Sequence, residues 1–217
     1  MRINFCDTET TDLIVDGPDG RKIYPQIIQY AFVTWEDGKL VNLHARLVQP
    51  TVPVQPGAAK VNGYTPEYWA ANGATPLNEQ DIAAFHALMN GQFIGGQNIM
   101  GFDLPVIAAE CNRLGFAAPK HDYHVIETMS FGLVLQALGL VKSSSLKSVS
   151  EYLDLKRQLP VFGYPDRQRP HDAVFDAACS AQLFSEMLVR TADGFTQYAG
   201  LSAASVTHHV NQEGQSV

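Results

Sequence analysis

The chain has 217 residues, 46% hydrophobic and 17% charged, which suits one well-buried domain and is short for two. It is not a disordered composition, and no apolar run approaches the roughly 20 residues of a membrane span. The net charge of −7 argues against a tight, sequence-reading DNA binder, which would rest on Lys and Arg. It leaves room for a metal-dependent enzyme, because a loaded acidic site reverses its local sign.

Met1-Arg2 leads straight into a β-prone stretch, which is not the pattern of a signal peptide. Cys6, Cys111 and Cys179 are odd in number and lack CxxC spacing. Reduced thiols in the cytoplasm are the expectation, rather than disulfides or a zinc site.

In chain order, Ile3 to Cys6 is apolar and β-prone, and Asp7 and Glu9 follow two positions apart. On a strand, residues i and i+2 share a face. Each carboxylate then raises the cost of ionising the other. A divalent cation would compensate the pair, one member could hold a proton, or the pair could be a solvated acidic turn. Two Asp-Gly pairs make residues 14–24 a loop or protruding hairpin. Ile27–Trp35 and Leu40–Val48 read as strands joined by an Asp37-Gly38 turn, for three antiparallel strands in all.

Helical signals follow. Thr65-Pro66 offers an N-cap and Gly73 a stop, and residues 77–90 carry Ile82, Phe85, Leu88 and Met89 at helical spacing. Phe93–Gly96 is a short buried strand leading into Gln97-Asn98-Ile99-Met100-Gly101-Phe102-Asp103. Pro105 starts a helix that Gly115 ends, placing Asp103 at its N-terminus, either as a simple N-cap or as a carboxylate the dipole favours. A strand near Tyr123–Ile126, a helix from Thr128 to Leu138 and one capped by Ser145 come next. Residues 156–170 are irregular and basic, and an apolar helix then runs to about Arg190. Residues 191–217 are expected to be a weakly structured C-terminal extension to a domain over 1–190.

His171 and Asp176 are five positions apart, a turn that leaves side chains roughly 140° apart on a regular helix. His171 therefore belongs on the preceding loop and Asp176 in the helix's opening turns. There the imidazole is either an exposed loop His or one that can swing toward a substrate.

Taken together, Asp7-Thr8-Glu9-Thr10-Thr11, Asn98 with Phe102-Asp103, and His171-x-Ala173-x-x-Asp176-Ala177 resemble the DEDDh (DnaQ-like) 3′→5′ exonucleases. That family includes the proofreading epsilon subunit of DNA polymerase III, RNase T and exonuclease X. Ala59-Lys60-Val61-Asn62-Gly63-Tyr64-Thr65 is similar to a further family segment. The resemblance implies an RNase H-like α/β fold with a mixed five-stranded sheet flanked by helices. It implies catalytic residues Asp7, Glu9, Asp103, His171 and Asp176, the four carboxylates holding two divalent ions, Mg²⁺ or Mn²⁺. His171 would be the general base. Thr8, Thr10, Leu13, Asn98 and Phe102 would meet the 3′-terminal nucleotide. The expected partner is nucleic acid with a free 3′ end, single-stranded DNA favoured, and a homodimer or a DNA polymerase partner is compatible with the family. The products would be 5′-nucleoside monophosphates.

The chain departs from the family at Asp12, where Gly is common, and at Gln97 and Asn62, where His is common. Glu127-Thr128 stands where Asp-Thr is frequent. Competing readings are an RNA-trimming exoribonuclease and a non-catalytic nucleic-acid scaffold on the same fold; against the scaffold, all five catalytic positions are kept. His121, His124, His208 and His209 read as surface residues. Lys156, Arg157, Arg167 and Arg169 read as a solvated loop or as phosphate contacts, and Tyr164 could stack on a base.

Overall fold

The computed structural model describes residues 1–155 and 170–192. Its frame is a five-stranded mixed sheet in the order β5-β4-β1-β6-β7. The strands are β1 (Arg2–Thr10), β4 (Ile27–Glu36), β5 (Lys39–Leu47), β6 (Phe93–Gly96) and β7 (Val125–Glu127). β1, β4 and β5 form the expected antiparallel meander, while β6 joins β1, and β7 joins β6, in parallel. Asp37 and Gly38 both take positive φ in the β4–β5 turn, the conformation that a two-residue hairpin matches to strand twist.

Every residue of β4 from Ile27 to Trp35 is buried, so this strand is covered on both faces. On one face, Cys6, Phe32 and Ile94 pack with Ile82, Phe85 and Met89 of α3 (Glu79–Met89) and with Val106, Ile107 and Cys111 of α4 (Asp103–Arg113). Cys6 shares that face of β1 with Thr8 and Thr10, whereas Asp7 and Glu9 alternate onto the other.

Residues 14–24 form a small hairpin of β2 (Val15–Asp16) and β3 (Lys22–Ile23), tied by an Asp16–Lys22 ion pair. Thr65 caps α2 (Pro66–Ala71) and Ser145 caps α6 (Leu146–Leu153), each accepting a backbone N–H in the first turn. α5 spans Thr128–Ala137. One helix, α1 (Pro56–Asn62), goes beyond the sequence reading. It is seven residues long, contains Gly57 and has no side-chain cap, so its only local marks are Pro56 at the start and left-handed Gly63 at the end.

Met1–Leu183 form one compact unit, which holds all the site residues below. A final helix, α7, covers 173–192. The second unit begins at Phe184, and its described residues, 184–192, are helical. Lys156, Arg157, Tyr164, Arg167, Arg169, His208 and His209, and the extension past residue 192, lie outside the described residues.

Candidate active site

Asp7 and Glu9 sit on β1 itself, which runs through the acidic pair instead of ending before it. The strand's pleat therefore fixes both carboxylates on one face, as a turn would not. At this point the β1–β4 register slips between Glu9 and Thr10. Buried Glu110 of α4 accepts the N–H of Ile27 there, supplying a partner where the ladder is interrupted.

Asp103 opens α4 but does not cap it, since Phe102 is the N-cap residue and no side chain caps. The Asp103 carboxylate, 2% exposed, instead turns to β1. Its Oδ1 accepts both the N–H and the Oγ1–H of Thr8, each at 2.7 Å. Thr8 is thus committed to holding a carboxylate.

The segment before Asp103 is held by two of the departures from the family pattern. Glu127 accepts the N–H of Asn98 at 2.6 Å and caps α5 through Met129 N–H. Asn98 takes a left-handed φ of 56°. Gln97 bridges Ser144 O and the Thr128 hydroxyl. The longer Glu and the amide at these places keep the loop tethered by other atoms.

His171 is exposed, on the loop before α7, with a left-handed φ of 62°. Its N–H donates to Asp176 Oδ2 at 2.9 Å. Side-chain donors of Glu9, His171 and Asp176 all lie within 4.8 Å of one another. Asp7 stands in the field of this group. Burial, and then the charges of Asp103, Asp176, Glu9 and Asp172, raise its carboxyl well above the ordinary range. Burial also raises Asp103, against its hydrogen bonds from Thr8, to about 7.

One cavity of about 760 Å³ collects these groups. Asp7, Glu9, Asp103, His171 and Asp176 line it, and so do Thr8, Thr10, Leu13, Asn98 and Phe102. Its far wall, made by Ser145, Lys147, Ser150 and Glu151 of the α6 segment, has no signature in the sequence. Lys147 and Glu151 are exposed and Ser150 is buried, and the packing of α6 brings all of them to the cavity. Among the described residues that line the cavity, Lys147 is the sole Lys or Arg.

Clustered carboxylate oxygens with one imidazole are a hard donor set that suits Mg²⁺ or Mn²⁺. Burial first, and neighbouring carboxylates after it, raise the proton affinity of Asp7 and Asp103, and a bound cation would offset both costs. The residues fit such cations.

Residues 5–184 fit the RNase T family of exonucleases. The chain is a member of that family, a DnaQ-like 3′→5′ exonuclease. Among solved structures, the exonuclease resembles Exonuclease X in complex with 5′-overhanging duplex DNA. The two are 20% identical, with TM-score 0.57, over 88% of this chain and 93% of that one. E. coli Exonuclease I in complex with a dT13 oligonucleotide is 18% identical with TM-score 0.65, over 90% of this chain and 43% of that one. Exonuclease I from Methylocaldum szegediense is 18% identical with TM-score 0.62, over 85% and 40%. This exonuclease spans less than half of those Exonuclease I chains. No curated protein matches its sequence. The structural likenesses, at such identities, speak for the RNase H-like fold.

Proposed function

We propose that this exonuclease releases 5′-nucleoside monophosphates one at a time from the 3′ end of DNA, with single strands favoured. The convergence of Glu9, His171 and Asp176, beside Asp7 and Asp103, in one open cavity carries this reading. Support for DNA comes from Exonuclease X and E. coli Exonuclease I, whose structures hold 5′-overhanging duplex DNA and a dT13 oligonucleotide.

Asp7, Glu9, Asp103 and Asp176 would hold two divalent cations, Mg²⁺ or Mn²⁺. When bound, these neutralise the carboxylates and polarise the scissile phosphodiester. His171 accepts the proton of the attacking water on its imidazole. The water oxygen bonds to phosphorus, the bond to the upstream 3′-oxygen breaks, and that oxygen leaves with a proton. Leu13, 70% exposed at the rim, and Phe102, on the inner wall, pack against the terminal nucleotide. Asn98 and the Thr10 backbone border it.

The catalytic domain is taken as residues 1–190, with 191–217 as an extension. Free thiols at Cys6, Cys111 and Cys179 fit a cytoplasmic setting, and no described helix is long and apolar enough to cross a membrane.

The test is degradation of 5′-labelled DNA and RNA, single- and double-stranded, with free and blocked 3′ termini. Single-stranded DNA is expected to shorten fastest, and the blocked strand to survive. Cleavage of blocked strands at the same rate would refute the 3′-end assignment. Asp7→Ala is expected to lower turnover by at least about 10³-fold, and substantial Mg²⁺-dependent activity in that variant would sink the cation assignment.

A further inference from the structure

Two buried polar side chains beside the catalytic loop have no part in the chemistry above. Gln29 of β4 lies directly opposite Glu9 in the β1–β4 register. Asp172 follows His171. Each is 1% exposed. Gln29 Nε2 donates to Asp172 Oδ2 at 3.2 Å, and Gln29 Oε1 accepts the N–H of Ala173 at 3.3 Å. Asp172 Oδ1 accepts the N–H of Val174 at 3.2 Å, which makes Asp172 a side-chain cap for α7. The Asp172 carbonyl accepts the N–H of Asp176 at 2.9 Å.

A buried carboxylate and amide are costly unless satisfied, and an apolar pair would fill the space with less at stake. What the polar pair adds is direction. Two hydrogen bonds from one Gln side chain set both the height and the rotation of the loop against the strand that pairs with Glu9. On one side of this anchor stands His171, whose left-handed backbone persists only where its surroundings over-determine it. On the other stands Asp176, whose N–H and carboxylate both bond within the same turn.

We propose that Gln29 and Asp172 are positioning residues, a latch through which β4 holds His171 and Asp176 in register with Glu9. The inference rests on the exonuclease reading for its catalytic consequence, although the geometry it describes can be tested without activity.

The experiment compares Gln29→Glu, Asp172→Asn and the double variant. The first single sets two carboxylates against each other, and the second sets two amide donors against each other. In the double variant the new carboxylate at 29 accepts from Ala173 N–H and from the new amide at 172, whose oxygen still caps α7. All three hydrogen bonds are restored with the charge moved. Each single is expected to lose about 10- to 100-fold in kcat per folded molecule, with oligonucleotide KM within about twofold of wild type. The double is expected to recover to within about threefold. In parallel, ¹⁵N NMR of the His171 imidazole, assigned with His171→Ala, should move in both singles and return in the double.

A merely structural pair would lower the melting temperature and leave kcat per folded molecule and the His171 signals unmoved; that result overturns the latch. So does a double variant no better than the worse single. An inactive wild type would overturn the exonuclease reading, while the NMR comparison would still decide the latch.

Discussion

Asp103 shows how one carboxyl ties the site to the acidity of its surroundings. Its folded-state pKa of about 7 lies above the ordinary value near 4, so between those limits the folded protein holds a proton that the unfolded chain has lost. Stability of the metal-free protein therefore falls as pH rises across that window, and the loss is complete above about pH 7. Asp7 is raised in the same direction and deepens the fall. Asp103→Asn removes this titration while its amide oxygen can still accept from Thr8. Thermal melts of metal-free protein should show the variant about 5 °C more stable than wild type at pH 8, with little difference at pH 4. Parallel melting curves at both pH values would contradict the assignment.

At the scale of elements, the approach of β6 to β1 decides where the Asn98–Asp103 segment begins. A Cβ on Gly96 would lie 2.6 Å from the Cys6 carbonyl oxygen and 3.0 Å from Ile99 Cβ. Gly96→Ala should cost roughly 1–3 kcal/mol, read in urea unfolding, and should lower kcat by displacing the loop. A variant as stable and as active as wild type would show that the contact relaxes freely. The sequence made such elements legible wherever a local signal was strong. Thr65, Ser145 and Glu127-Thr128 mark helix starts, Asp37-Gly38 marks a hairpin, and alternation marks β4 and β5. All ten residues expected at the site line one cavity. What was illegible depends on packing. α1 is marked only by Pro56 and Gly63 at its ends, a signal too weak for a seven-residue helix, and Lys147 and Ser150 become cavity wall only through the placement of α6. Nor can periodicity show that Thr8 faces Asp103 across 95 positions. Gln29 reads in sequence as one more residue of a strand.

For the molecule as a whole, a net charge of −7 adds to the repulsion among the carboxylates that line the cavity. Cations that bind only the folded state stabilise it by mass action, and at the proposed sites they would compete with protons for Asp7 and Asp103. Mg²⁺ or Mn²⁺ at millimolar concentration should therefore raise the melting temperature more at pH 8 than at pH 5.5, by several degrees as an order of magnitude. Equal increments at both pH values, or none at either, would contradict cation binding at these carboxylates. Asp7→Asn should blunt the increment.

The latch between Gln29 and Asp172 joins positions 143 apart in the chain. During synthesis, Asp7, Glu9 and the sheet strands are made long before His171, Asp172 and Asp176 exist. All five strands of the sheet end by residue 127, so their sequence is complete before His171 and Asp176 join the acidic pocket. The loop that must close is among the longest the fold contains, so its entropic cost falls late. On the proposed roles of His171 and Asp176, a growing chain would lack nuclease activity until residues 171–176 have been made and Asp172 has met Gln29.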